Sequence, residues 1–144
     1  ALEYAAQAAR LAPRVTAHHV LVGRLSRATG QLDRALSELV TAQSLSPTDG
    51  RVAVEVGRVH EERRELKRAL DAYQRAIEID PALASAHFRA GLILKDLKAY
   101  SQAARMFKRA VELAPTDSEA LHQLAAVRAL ELVHGGIARA TVTS

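Results

Sequence analysis

The stretch that decides the fold is residues 50–83, GRVAVEVGRVHEERRELKRALDAYQRAIEIDPAL. Its apolar residues recur at intervals of three and four, as on one face of an α-helix, and a proline stands at position 81, near its end. Outward from there, prolines recur every 34 residues, and three further columns keep the same step. The columns are Pro13, Pro47, Pro81, Pro115; Ala8, Ala42, Ala76, Ala110; Ala1, Ala35, Ala69, Ala103; and Gly23, Gly57, Gly91, Ala125.

Each period predicts two antiparallel α-helices. The small residues of the glycine column allow two helix axes to approach closely, and the proline after the second helix fixes the turn into the next pair. Asp49 and Asp117 are expected to cap helix N-termini, and Gly30 suits a helix C-terminus. The predicted helices span residues 1–12, 16–28, 31–45, 50–63, 65–79, 84–97, 99–113 and 117–133.

The repeat also predicts the domain organisation. A solenoid covers residues 1–134 and contains three full 34-residue repeats with a partial repeat on each side. Its parts are a half repeat at 1–15, repeats at 16–49, 50–83 and 84–117, and a terminal helix at 118–134. Residues 135–144 show no helical pattern and are expected to form a flexible tail that is mobile or bound to a neighbour.

The amino-acid composition argues against several classes of protein. Of 144 residues, 49% are hydrophobic and 25% charged, which argues against disorder, and no run is long enough to span a membrane. The absence of cysteine excludes disulfides and thiolate metal sites. The chain begins without Met or a signal-peptide pattern, so we expect a piece of a longer, cytoplasmic protein. The excess of arginine over lysine and the abundance of alanine favour a bacterial source.

The repeats resemble the tetratricopeptide repeat (TPR) over about residues 1–133. The matching residues are Val22-Gly23, Ala35, Leu39, Ala42, Pro47; Val56-Gly57, Ala69, Tyr73, Ala76, Pro81; and Ala90-Gly91, Ala103, Phe107, Ala110, Pro115. The sequence departs from the pattern where Ser26, His60 and Leu94 replace an aromatic, which weakens packing. The resemblance implies an all-α, right-handed α-solenoid that acts as a non-catalytic scaffold for protein–protein interaction, with a concave groove lined by the first helix of each pair.

The resemblance further implies that the second, fifth, ninth and twelfth positions of a repeat face this groove. The candidate ligand-binding residues are these positions and near neighbours: Val20, Arg24, Arg27, Arg51, Val54, Arg58, Ser85, Phe88, Arg89, Leu92 and His122. Clustered guanidinium groups match carboxylates, and Phe88 with Leu92 offers an apolar pocket. We therefore expect an acidic peptide with an apolar anchor. The alternative is that the arginines are solvated or paired with Glu55 and Glu61.

One TPR subclass binds the C-terminal carboxylate of chaperones through a Lys, Asn, Asn, Lys, Arg clamp. The aligned residues here are Val20, Arg24, Glu55, Ser85 and Arg89. Only Arg89 matches, and Glu55 would repel a carboxylate. The sequence therefore does not favour a chaperone-tail cofactor.

The sequence gives little support to metal binding, catalysis or nucleic-acid binding. The run His60-Glu61-Glu62-Arg63 lacks the second histidine at i+4 that a zinc helix requires, and His19 and His87 lie in different repeats. No motif places a nucleophile beside a base, so we predict no catalysis, no metal and no cofactor. The net charge of +4 mildly favours anionic partners. Phe88 is the single aromatic residue placed to stack on a base, so nucleic acid is not favoured.

The ends support a second hypothesis. Leu2, Ala5, Ala9 and Leu11 form an apolar stripe on a helix without its pair partner, and the last helix is apolar around much of its circumference. Exposed apolar ends of a solenoid invite association. The alternative function is thus a structural segment that forms a homo-oligomer, or docks further repeats, through its terminal helices.

Overall fold

The computed structural model describes residues 1–11 and 14–143, with side chains described as far as residue 134. Within these residues the chain is all-α, with helices α1 (Leu2–Leu11), α2 (Thr16–Ala28), α3 (Leu32–Leu45), α4 (Gly50–Glu62), α5 (Leu66–Ile79), α6 (Ala84–Asp96), α7 (Tyr100–Leu113) and α8 (Ser118–Thr143). The predicted all-α solenoid is confirmed, and the bounds of α1 to α7 lie within one residue of the prediction. Pro13 lies outside the described residues.

The first of two compact units, residues 1–81, contains α1 to α5. Each helix packs against the next, and α2 also packs against α4. Ala5 and Ala9 of α1, which were expected in an exposed stripe, are instead buried in a core with Val22 of α2, whereas Leu11 is exposed. Leu39 of α3 is fully buried against Val56 and Val59 of α4. No pair buries its apolar faces alone, so the core runs from one pair into the next, as expected for a repeat protein.

The glycine column marks the closest approach within each pair. A Cβ atom built on Gly23 would lie 2.6 Å from Leu39 Cγ. The same atom on Gly57 would lie 2.6 Å from the Tyr73 ring. In the second unit, a Cβ on Gly91 would lie 2.7 Å from the Phe107 ring. The interpretation of this column as a site of close helix contact is confirmed, because no larger residue fits without displacing a buried side chain.

The helix ends follow the sequence signals. Asp49 Oδ1 accepts a hydrogen bond of 3.0 Å from Arg51 N. Asp117 Oδ1 accepts from Glu119 N at 3.0 Å and from Ala120 N at 3.3 Å. Both predicted N-caps are therefore confirmed. Gly30 follows the end of α2 with φ of 79°, the left-handed conformation of a helix C-terminus.

The second unit, residues 82–144, contains α6 to α8. α7 packs against both α6 and α8, and its core residues Ala103, Phe107 and Ala110 are buried. The last helix was expected to end near residue 133 but continues to Thr143. Glycine lowers helix propensity by about 1 kcal/mol relative to alanine without forbidding a helix, so the glycines at 135 and 136 do not end it. The side chains of the expected tail, 135–144, lie outside the described residues, and its mobility stays a prediction.

Candidate functional site

One candidate site is a pocket of about 570 Å³ in the first unit. It lies between α2 and α4, the first helices of consecutive pairs, and the 46–49 turn closes one side. Thr16 Oγ1 and Ser46 Oγ lie 2.7 Å apart at its edge, which ties the start of α2 to this turn. Its lining residues are Thr16, Ala17, Val20, Leu21, Arg24, Ser46, Asp49, Arg51, Val52 and Glu55.

The pocket has an apolar wall and a charged rim. Ala17, Val20 and Leu21 of α2 lie at helical spacing that turns them to one side, and Val52 of α4 is also part of the wall. Such a combination of an apolar surface with a few polar groups is typical of ligand sites.

Arginine and carboxylate groups of the rim are only loosely paired. Arg24 Nε lies 3.9 Å from Glu55 Oε1, which is too long for a hydrogen bond. The Arg24 side chain is 58% exposed, whereas the Glu55 side chain is 15% exposed. Arg51 is exposed, and its backbone N–H donates to Asp49. The guanidinium of Arg24 is thus accessible to a ligand from the pocket.

The structure brings three of the predicted residues together in this pocket: Val20, Arg24 and Arg51. The other candidates of the first unit lie elsewhere. Val54 is buried in the core, and Arg58 is half-buried. Arg27 Nη1 donates to Glu62 Oε1 at 2.7 Å, so this guanidinium already has a carboxylate partner. The alternative hypothesis names Glu55 and Glu61 as partners, and of these Glu55 lies 3.9 Å from Arg24.

Most candidates of the second unit lie on α6. Phe88 of α6 is half-buried, and its ring packs against the buried ring of Phe107, with centroids 5.7 Å apart and planes tilted by 57°. This tilted arrangement is a favourable aromatic contact, so Phe88 also contributes to the packing of its own helix pair. Arg89 and Leu92 are half-buried, and Ser85 and His122 are exposed.

Sequence reasoning missed Leu21 and Val52 as lining residues, whereas Glu55 was expected at a clamp position and as a partner of the arginines. A signal for Leu21 exists. The sixth repeat position carries Leu21, Glu55 and Arg89, and only Arg89 was predicted to reach the groove. Thr16 is the first residue of α2 and Ser46 lies in the turn after α3. Neither belongs to one of the four repeat columns, so periodicity could not find them.

An ionic cluster joins α3 to the turn between α4 and α5. Arg63 Nη1 donates to Asp33 Oδ1 at 2.7 Å, and Arg63 Nε contacts Glu65. Arg68 Nη1 lies 3.1 Å from Glu65 Oε2, and His60 Nδ1 lies 3.6 Å from Glu65 Oε1. Desolvation of the Glu65 carboxyl raises its pKa, but Arg63, His60 and Arg68 together outweigh this and hold the pKa below its ordinary value of 4.5.

Two other kinds of site have no candidate in the part of the chain whose side chains are described. Within residues 1–11 and 14–134, no three His, Asp or Glu side chains come together as a metal site would require. None of the described helices combines the length and the apolar character that crossing a membrane would require.

Comparison with known proteins points to one family. A family model described as "TPR repeat" matches residues 57–98, and a second, "Tetratricopeptide repeat", matches residues 84–117. No curated protein sequence matches the chain.

Among solved structures, MamA protein is similar at 17% identity over 96% of this chain and 75% of that chain, with a TM-score of 0.80. YrrB, "a TPR protein with an unusual peptide-binding site", is similar at 24% identity over 91% of this chain and 68% of that chain, with a TM-score of 0.80. The first TPR of Spaghetti (RPAP3), bound to the HSP90 peptide SRMEEVD, is similar at 17% identity over 78% of this chain and 90% of that chain, with a TM-score of 0.75. At these identities the likeness establishes the fold.

Proposed function

Because this chain contains a tetratricopeptide repeat domain, we propose that it is a non-catalytic protein-interaction module that binds a peptide segment between α2 and α4. The observation that carries the proposal is the pocket itself, with an apolar wall next to the exposed Arg24 and Arg51. An apolar side chain of the peptide would be buried against Val20 and Leu21. A carboxylate of the peptide would accept hydrogen bonds from Arg24.

Two structural relatives support peptide binding as the type of function. YrrB has an unusual peptide-binding site, and Spaghetti carries a bound peptide, SRMEEVD, with three acidic residues. The chaperone-tail clamp itself is not proposed for this chain, since Glu55 occupies one of its positions and lines the pocket.

A separate contact set is proposed on α6, within the second unit. Phe88, Leu92 and Arg89 of α6 are half-buried and therefore retain accessible surface. Phe88 would provide the apolar anchor that the sequence predicted, and Arg89 a cation beside it. Of the remaining candidates, Ser85 and His122 retain surface for contact with a ligand. Val54 is buried in the core and Arg27 is bonded to Glu62, so these two residues contribute mainly to stability.

The pocket is tested by affinity capture from a lysate of the source organism, with bound proteins identified by mass spectrometry. We expect Arg24→Glu to reduce the captured partner at least about tenfold, because it replaces an attraction by a repulsion. Arg75→Glu is the matched control, since Arg75 is exposed on α5, away from the pocket. Circular dichroism must show equal helicity for all three proteins. Equal capture by all three would contradict the proposal.

A specific observation also favours the alternative function, self-association through the terminal helices. Tyr4 and Leu11 of α1, and Leu121 and Leu132 of α8, are large apolar residues that remain exposed. Such side chains would gain burial in contact with a second copy. The two functions are separable, because peptide binding depends on the pocket and association depends on these end faces.

A further inference from the structure

Glu55 is the feature of the pocket that an acidic, apolar peptide does not explain. Its side chain is 15% exposed, and its Oε2 atom is enclosed without a hydrogen-bond partner among the described residues. Arg24 Nε lies 3.9 Å from Oε1, and the Arg24 side chain directs most of its surface to solvent. The pocket wall therefore holds a carboxylate whose hydrogen-bonding capacity is largely unused.

An ionised carboxylate only accepts hydrogen bonds, and leaving it desolvated without donors is costly. Buried polar groups in native proteins are almost always satisfied, so an exception calls for a missing donor. The last side-chain bond of glutamate rotates between two equivalent arrangements, which exchange Oε1 and Oε2. The exchange leaves one oxygen enclosed, so a ligand reaches the other oxygen. Because the two oxygens share one negative charge, a cationic donor at the accessible oxygen compensates the carboxylate as a whole.

We propose, on the basis of the function proposed above, that the bound peptide carries a basic residue beside its acidic one. The Lys or Arg side chain of the peptide donates to Glu55, while the Asp or Glu side chain accepts from Arg24. A charged donor is favoured over a neutral one because charge-assisted hydrogen bonds are about twice as strong. A purely acidic peptide would instead bring its carboxylate next to Glu55, which repels it.

The spacing of the two charges in the peptide follows from the pocket. Arg24 and Glu55 lie on facing helices with their charged atoms 3.9 Å apart, so the opposite charges of the ligand must also be neighbours in space. In an extended peptide, residues two apart point to the same side. The expected pattern is therefore basic-x-acidic, in either order, next to an apolar residue that packs against Val20 and Leu21.

The test is selection from a phage-displayed library of random peptides of about 12 residues, long enough to span the facing helices in extended form. The immobilised proteins are the native domain, Glu55→Gln, Arg24→Glu and the control Arg75→Glu. The native domain and the control should enrich an apolar residue next to a basic-x-acidic pair. Glu55→Gln should lose the preference for the basic residue while keeping the acidic and apolar ones, and should bind a synthetic peptide of the enriched sequence about tenfold more weakly.

A peptide-side change protects the test against misfolding of Glu55→Gln. Replacement of the basic residue of the enriched peptide by methionine should weaken binding to the native domain by a similar factor. Enriched peptides without basic residues, or equal affinity of both peptides for the native domain, would overturn this inference and leave the proposed function standing. If no peptide is enriched on the native domain over Arg24→Glu, the peptide-binding function fails and the inference fails with it.

Discussion

Ser26 shows how a single residue lowers the stability of its repeat. It stands where the TPR pattern places an aromatic, and it is fully buried with no hydrogen-bond partner for Oγ among the described residues. A buried, unsatisfied hydroxyl is destabilising, so Ser26→Ala should raise the free energy of unfolding by about 1 kcal/mol. Urea denaturation followed by circular dichroism measures the change.

The control for this prediction is Ser37→Ala, since Ser37 is an exposed serine inside α3. Both substitutions raise helix propensity by the same amount, because alanine has a higher helix propensity than serine. Only the difference between them reports the buried hydroxyl. Equal gains for the two variants would show that Ser26 Oγ costs nothing where it lies.

At the scale of the element, the three helix-to-helix turns within pairs share one geometry. After α2, Gln31 N donates to Ser26 O at 2.8 Å and Gly30 N to Arg27 O at 3.1 Å. The turns after α4 and α6 repeat this pattern of bonds. The residue in the left-handed conformation is Gly30 in the first turn, but Arg64 and Lys98, each with φ of 62°, in the next two. The same conformation is thus held twice by a residue that disfavours it.

Glycine at position 98 should therefore stabilise the second unit. The left-handed conformation costs a residue with a Cβ roughly 1–2 kcal/mol, and glycine avoids this cost. Part of the gain is offset because glycine has more conformational entropy in the unfolded state. We expect Lys98→Gly to raise the free energy of unfolding by about 0.5–1 kcal/mol and the inverse change, Gly30→Ala, to lower it by about 1 kcal/mol. Urea titrations of both variants test this, and a Lys98→Gly variant no more stable than the native protein would disprove it.

The same turns show what the sequence could and could not predict. Gly30 was predicted at a helix end because glycine is typical of that position, whereas Arg64 and Lys98 carry no such signal. The glycine column was predicted because its spacing repeats, and contact with Leu39, Tyr73 and Phe107 confirmed its role. The length of α8 was mispredicted because adjacent glycines weaken a helix without deciding where it ends. In the candidate site, periodicity identified Val20 and Arg24, and the alignment with the TPR clamp placed Glu55 on the same surface. Only three-dimensional packing gives the 3.9 Å separation of Arg24 and Glu55.

At the scale of the whole molecule, the ionic cluster at Glu65 makes stability depend on acid pH. Its folded-state pKa lies below the ordinary value of 4.5, so the ionised form is favoured by folding. This contribution is fully present above the unfolded-state pKa and is lost as the pH falls through the folded-state pKa. We expect Glu65→Gln to be less stable than the native protein at pH 7 and to show a smaller loss of stability between about pH 5 and pH 3.

Thermal unfolding at a series of pH values measures both effects, with Glu78→Gln as the control because Glu78 is an exposed carboxylate on α5. Parallel pH profiles for native and Glu65→Gln would rule the cluster out as the source.

The end faces of the chain carry the last prediction, which concerns self-association. Leu121 of α8 is 46% exposed, whereas the residues of the same repeat column, His19, Ala53 and His87, are buried. Tyr4 of α1 is likewise 80% exposed, although the corresponding Ala72 and Met106 are half-buried. These faces have the pattern of a pair interface, so a second copy that covers them would gain burial of large apolar side chains.

We expect the mass measured by light scattering to rise with protein concentration, and Leu121→Glu or Tyr4→Glu to suppress the rise. Val40→Glu is the matched control, since Val40 is 48% exposed inside α3 and belongs to neither end. A monomeric mass at every concentration, or equal suppression by Val40→Glu, would show that the end faces do not join copies of this chain.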